Sequence, residues 1–193
     1  MNKIILLSAF FIISFVKAQD KIVFKNGTVK TGKIGFKFFN SQKIKLKKDD
    51  NSEELIDVKT IKYIEQLNPK NETIIKSIFM PVKIEGKFKK MIVLMEGDVM
   101  LLGLQRYKAS MTENGFDPSN GHSTSDYYIL RDGEEFATFL ASFSHIGGKS
   151  FKKVVKEYFK DCPKLVEKAL NKEFKKKHYK EVVMYYNNNC DSD

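Results

Sequence analysis

The chain divides by its rhythm of apolar and polar positions. Ile4 to Val16 is an apolar run of 13 residues in which Ser8 and Ser14 are the only polar positions. From Asp20 to Glu65 the rhythm is alternation. Ile22 and Phe24 alternate with polar residues, and Asn26-Gly27 supplies a hairpin turn. Ile34, Phe36 and Phe38 then alternate with Lys33, Gly35 and Lys37, and Ile44 and Leu46 with Lys43, Lys45 and Lys47. Asp49-Asp50-Asn51-Ser52 turns the chain, and Ile56-Val58 and Ile61-Tyr63 close the set. Period-two alternation over short runs predicts strands with one wet face. Five of them at this spacing predict an antiparallel β-meander rolled into a small barrel, in the general manner of SH3-like or Sm-like barrels.

Asn68-Pro69-Lys70-Asn71 breaks the pattern and marks a candidate domain boundary. Ile74 to Val82 reads as one strand, with Pro81 placing it at an edge or an end. Met91–Met95 and Val99–Leu104 flank Glu96-Gly97-Asp98, and both runs are almost continuously apolar. That predicts a hairpin buried on both faces beneath later helices. Residues 108–125 turn to Gly, Ser, Thr, Asn and Asp with Pro118, the composition of a surface loop. Tyr127–Arg131 reads as a strand and Asp132-Gly133 as its turn. Residues 134–146 are ambiguous, although Phe136, Phe139, Leu140 and Phe143 fit helical spacing.

The last third has period 3.6. After Ser150 as a cap, Phe151, Val154, Val155, Tyr158 and Phe159 make an apolar stripe, with Lys149, Lys152, Lys153, Lys156 and Lys160 off it. Asp161-Cys162-Pro163 breaks and restarts the helix, since Pro suits a first turn. Leu165, Val166, Ala169 and Leu170 form a second face, and Tyr179, Val182, Val183 and Tyr186 a third. The fold class expected is α+β: an N-terminal meander over 19–68, then a second antiparallel segment with C-terminal helices over 72–193, the two being readable also as one continuous domain.

The first apolar run changes the meaning of the rest. Lys3 before it and Val16-Lys17-Ala18 after it complete the three parts of a secretory leader, residues 1–18, cut before Gln19. As a helix the run would reach roughly 20 Å, short of the ~30 Å hydrocarbon core. No later run approaches a spanning length, so the mature chain is expected to have no transmembrane segment and to lie in the periplasm or outside the cell. In an oxidising compartment Cys162 and Cys190, an even pair without Cys-x-x-Cys spacing, read as a disulfide.

Charge adds a surface. The full chain has 34 Lys+Arg against 24 Asp+Glu; the leader holds two of the cations and none of the acids, leaving +8 on the mature chain. The arginines are Arg106 and Arg131 and every other cation is Lys. Lys is a solvated point charge, not a bidentate reader of bases, so nucleic acid is not the expected partner. Lys149, Lys152, Lys153, Lys156, Lys160, Lys175, Lys176 and Lys177 are the candidate contacts to a polyanion, a lipid headgroup or an acidic polysaccharide. The same residues also suit a plain solvated face.

Catalytic signals are sparse. His122, His145 and His178 stand apart, and no Gly-x-Ser-x-Gly elbow exists. Glu134 and Glu135 are adjacent and so point to different faces. A calcium loop begun at Asp117 would need a bidentate Glu where Tyr128 stands. Gly147-Gly148-Lys149-Ser150 lacks the first glycine of a phosphate loop, position 143 being Phe. Phe36–Phe39 and Phe174–Tyr179 interleave aromatics with lysines, a pattern that binds strands or sugars but also arises from a core face beside a charged one. Asn26-Gly27-Thr28 and Asn71-Glu72-Thr73 match glycosylation sequons. No catalytic residue, metal or cofactor is expected. The leading expectation is a non-enzymatic binding or interaction protein of the cell envelope, followed by the polyanion binder and then an envelope hydrolase.

The leader, the meander, VLMEGDVMLL, DYYILRDGEE, YFKDCPKLVEKALNKEF and VVMYYNNNC together resemble an uncharacterised family of exported proteins from Gram-negative bacteria. The likeness is densest over 158–190. It implies a periplasmic or secreted location and carries no activity. The family pattern has a Tyr shortly after the EGDV turn, where this chain has Leu101-Leu102. One outcome follows directly: N-terminal analysis of the exported chain should begin at Gln19, and a full-length product embedded in membrane would contradict the leader.

Overall fold

A computed structural model describes residues 19–36, 42–82, 87–112, 115–142 and 151–190, and for 107–122 the backbone alone. The leader, Lys37 to Phe39, Phe143, His145 and the Gly147-Gly148-Lys149-Ser150 run lie outside them. Ten strands stand in chain order: β1 Asp20–Phe24, β2 Val29–Phe36, β3 Lys43–Lys47, β4 Glu53–Asp57, β5 Ile61–Leu67, β6 Ile74–Pro81, β7 Phe88–Met95, β8 Val99–Thr112, β9 Gly115–Arg131 and β10 Thr138–Ser142. Three helices follow: α1 Phe151–Tyr158, α2 Pro163–Leu170 and α3 Tyr179–Asn189. The architecture is α+β, an antiparallel sheet in the order β10-β9-β8-β7-β6-β5-β1-β2-β3-β4 with C-terminal helices.

The five meander strands form; β2 and β3 have one wet face and one apolar one as their alternation predicts, while β1 buries the adjacent Ile22 and Val23 on opposite faces. Among the described residues no pairing joins β4 to β5, so the pairings give an open sheet and do not close the expected barrel. At Gly32 the chain leaves the β1 ladder (Asp20↔Gly32) for the β3 ladder (Lys33↔Lys47). Its φ is +150°, and a Cβ there would stand 2.6 Å from the Lys47 carbonyl oxygen, so only glycine fits the bend. The Asn68–Thr73 break is a hydrogen-bonded turn, and β5 pairs with β6 across it.

Register tells which face each core uses. Ile22, Ile34, Ile44, Leu46, Ile56, Ile64 and Phe79 share one face, and the first half of the sheet curls over them. Further along the same face, Val99, Leu101 and Ile129 receive the helices. The opposite face of the second half encloses Ile78, Met91, Leu102, Leu104, Tyr128 and Leu130. That half rolls until Ala137 bridges Val82, the Ala137 amide lying 3.4 Å from the Pro81 oxygen. Residues 99–104 of β8 are therefore covered on both faces, as their almost continuously apolar run predicts, while β7 is only partly covered and leaves Leu94 exposed.

Two expectations are corrected. Residues 108–125 are not a loop but the outer part of the β8–β9 hairpin, paired out to Thr112↔Gly115. A ladder is built from backbone groups, so polar side chains do not forbid it. Pro118 falls in the register shift between Lys108↔His122 and Ser110↔Asp117, where no regular ladder bond is asked of it. The helical spacing within 134–146 also misleads: Thr138–Ser142 is an edge strand on β9. A bulge between Phe139 and Ala141 places Leu140 and Ala141 together in the core under the helices while Phe139 meets Tyr128 on the other side.

α1 buries Val154 and Val155, and Phe159 just beyond it, with Phe151 and Tyr158 half-buried; α2 buries Leu165 and Ala169; α3 buries Val182, Val183 and Tyr186. The stripe assignment makes a quantitative demand. Val155 has no exposed surface, so Val155→Ala should cost about 1–3 kcal/mol. The Lys153 side chain is 60% exposed, and Lys153→Ala should cost close to nothing. Equal shifts in a paired thermal-melt comparison would mean that the helix presents another face to the sheet.

Candidate functional site

The densest polar constellation among the described residues lies where the end of β9 meets the α1–α2 break. Arg131 donates from one Nη to both Asp161 carboxylate oxygens, at 2.8 and 2.9 Å, and to the Tyr158 carbonyl at 3.1 Å. Its guanidinium lies between the Tyr158 and Tyr186 rings, 5.0 and 5.1 Å from their centroids. The Tyr186 hydroxyl donates to Asp161 at 2.5 Å, and the Tyr158 hydroxyl to Glu134 at 2.7 Å. Glu134 in turn accepts the Arg131 amide, which closes the Asp132-Gly133 turn. One residue on, Cys162 is bonded to Cys190, their Cα atoms 5.7 Å apart. The chain break at Asp161-Cys162-Pro163 thus carries both an ion pair to the sheet and a covalent tie to the end of α3.

The charges of this cluster are spent on one another. Burial alone would raise the Asp161 carboxyl, but the bonds from Arg131 and then Tyr186 outweigh it and hold the group below the ordinary carboxylate range. Burial first, and the bond to Asp161 second, push the Tyr186 hydroxyl up to about 12. Tyr158 is raised further, by burial and then by Glu134. The side-chain bonds Arg131–Asp161, Tyr186–Asp161 and Tyr158–Glu134 each join distant parts of the chain.

The other arginine does the same work elsewhere. Arg106 on β8 forms an ion pair with Asp126 on β9, which is 2% exposed, and its Nη2 donates to the Tyr128 hydroxyl at 3.4 Å. At the rim of the first core, Lys90 donates to Gln66 at 2.6 Å and lies 4.2 Å from the Phe36 ring centroid. Burial lowers its pKa, with the charge of Asp20 opposing. Asp20 accepts the Ile34 amide and the Gln66 side chain. None of these groupings is legible in local spacing. The signal available was the scarcity of arginine itself, since a chain that otherwise uses lysine keeps arginine where a planar donor must be held rigidly.

The predicted lysines separate. Lys153, Lys156, Lys160, Lys175 and Lys177 are exposed, and Lys149 lies outside the described residues. Lys152 is a correction: it is half-buried, donating to the Leu170 carbonyl at 2.8 Å. The helical period places it off the apolar stripe but cannot show that the end of α2 lies across from it. Lys176 is half-buried as well. His178 Nδ1 lies 3.1 Å from the Glu173 carbonyl oxygen and accepts the Lys175 amide at 3.3 Å. Among the described residues no group of His, Cys, Asp and Glu could hold a metal ion.

Segments far apart in sequence meet here. Asn187 of YYNNNC grips Val99 of EGDV from both sides, accepting its amide and donating to its carbonyl at 2.9 Å each. Gly97, at φ +151°, leaves the room, since a Cβ there would stand 2.3 Å from the Asn187 nitrogen. Tyr127 of DYYILRDGEE stacks on Tyr179 at 3.8 Å. Leu101 and Leu102, which stand where the pattern has a tyrosine nearby, are fully buried in two different cores, where a hydroxyl would need a partner. Comparison with family models, curated proteins and solved structures finds no match to the chain.

The ionised junction has a definite pH dependence. Asp161 has a depressed pKa in the folded chain, so the stability it contributes is whole above about pH 4 and drains as the pH falls below that. Asp161→Asn should lower the neutral-pH melting temperature by about 2–4 °C, allowing for the pair's partial exposure. It should also flatten the acid limb of the profile. Parallel limbs in wild type and variant would show that Asp161 does not carry the junction.

Proposed function

We propose that this chain is an exported, non-enzymatic interaction protein of the cell envelope, acting in the periplasm or outside the cell once residues 1–18 are removed. The observation that carries the reading is the Cys162–Cys190 bond. A tie of this kind persists in oxidising compartments and is rare where thiols are kept reduced. It agrees with the leader-like N-terminus, and it holds a tail of Asn and Asp that has little apolar surface of its own. The use of Arg131, Asp161, Glu134 and Tyr186 as fasteners also supports a scaffold that presents a surface over one that turns over a substrate. Within that scaffold we take residues 19–68 as a small barrel-like unit, on the strength of a core drawn mainly from β1 to β5 and completed by Phe79 of β6.

A second reading, a lysine-dependent binder of anionic lipid or polysaccharide, is favoured by the charge of the helix layer. Residues 151–190 carry eleven lysines against five carboxylates.

The location is testable in living cells. With a membrane-permeant alkylating reagent and no reductant, Cys162 and Cys190 of the full chain should stay unlabelled. A chain lacking residues 2–18 should be labelled at both. Quantitative labelling of the full chain would place it in a reducing compartment and overturn the reading.

A further inference from the structure

We infer that the helix layer docks on an anionic phospholipid bilayer through a lysine-rimmed apolar hollow between the start of α1 and the connection from α2 to α3. The inference rests on the envelope reading above. The hollow, of about 350 Å³, is lined by Phe151, Lys152, Lys172, Phe174, Lys175 and Lys176. A second, of about 370 Å³, adjoins it, with Lys156 and Lys160 on one side and Val166, Leu170 and Glu167 on the other. The bond from Lys152 to the Leu170 carbonyl is the ridge between them. Leu170 is 45% exposed despite being apolar.

Six lysines and one carboxylate therefore surround a floor of Phe151, Phe174, Val166 and Leu170. Lysine stems lie along apolar surface while their ammonium heads reach water, so the same side chains complete the floor and charge the rim. The matching occupant is anionic at its head and apolar just below it, which describes a phospholipid headgroup and its glycerol–acyl boundary. A polysaccharide fits less well. Of the side chains lining the two hollows only Glu167 and Asn171, both in the second, could accept a sugar hydroxyl. Nucleic acid fits least, because both arginines are engaged in ion pairs with Asp126 and Asp161 and the cations rimming the hollows are all lysine. Juxtaposed lysines gain attraction from anionic lipid that adds roughly fivefold per residue to partitioning.

The test uses the purified disulfide-bonded protein and sedimentation with vesicles of phosphatidylcholine, alone or with about 30% phosphatidylglycerol. Wild type should bind the mixed vesicles, bind the neutral ones weakly, and release with added salt. A triple variant, Lys172→Glu, Lys175→Glu and Lys176→Glu, should lose at least about tenfold more affinity than Lys33→Glu, Lys47→Glu and Lys59→Glu, exposed positions in the first half of the chain with the same change in charge. Equal losses would mean that net charge alone drives association and would overturn the site. So would absence of binding, or tighter binding to a soluble acidic polysaccharide than to the vesicles. Should the triple variant fail to fold, Leu170→Ser, at an exposed position, must still weaken binding at least about threefold. Failure of all of these with the cysteines protected in cells would defeat the docking and leave the location standing.

Discussion

Arg131 is the point at which sheet and helices are fastened, and most of the second half of the molecule depends on it. The sheet must expose Val99, Leu101 and Ile129 on a face that its own curl cannot cover, because that half rolls the other way around Tyr128 and Leu102. Something apolar has to be laid over that face, and the helices are what remains of the chain. Two of the three have eight residues, too few to be stable alone in water. They hold by packing their apolar faces on the sheet, and fixing their break and their end secures that packing. Arg131 fixes the break through Asp161; Cys162 fixes the end through Cys190; Asn187 fixes the far side through Val99.

VLMEGDVMLL, DYYILRDGEE, YFKDCPKLVEKALNKEF and VVMYYNNNC are the segments that meet at these fastenings. The quoted segments lie far apart in sequence, yet each supplies one partner of a sheet–helix contact: Gly97 and Val99 to Asn187, Tyr127 to Tyr179, Arg131 to Asp161, Glu134 to Tyr158. They describe how the helices are held. The outer side of α1 and α2, with its lysines around Leu170, is a surface that the fastening leaves alone.

What could be read in advance followed from where water lies. β2 and β3 alternate cleanly because one face is wet, and the α1 stripe is legible for the same reason. Cys162 and Cys190 were legible from parity and compartment. β10 was not, since an edge strand with a bulge at Leu140 has no period of its own and takes its form from β9. Residues 108–125 were hidden because a hairpin held by backbone bonds leaves no apolar signature. The Arg131–Asp161 pair spans 30 positions and has no local spacing to betray it. Lys152 was misplaced because the period fixes a helix face but not its neighbour.

The central claim is that the helix layer is held by its fastenings and the first half of the sheet by its own core. Hydrogen exchange before and after reduction of Cys162–Cys190 tests it most directly. A bond closing a loop of this size contributes up to about 3.5 kcal/mol. On reduction, the amides of α2 and α3 should lose protection while those of β1, β2 and β5 around Ile22 and Ile64 keep theirs. Unchanged protection in α2 and α3, or an equal loss in β1 and β5, would contradict the account.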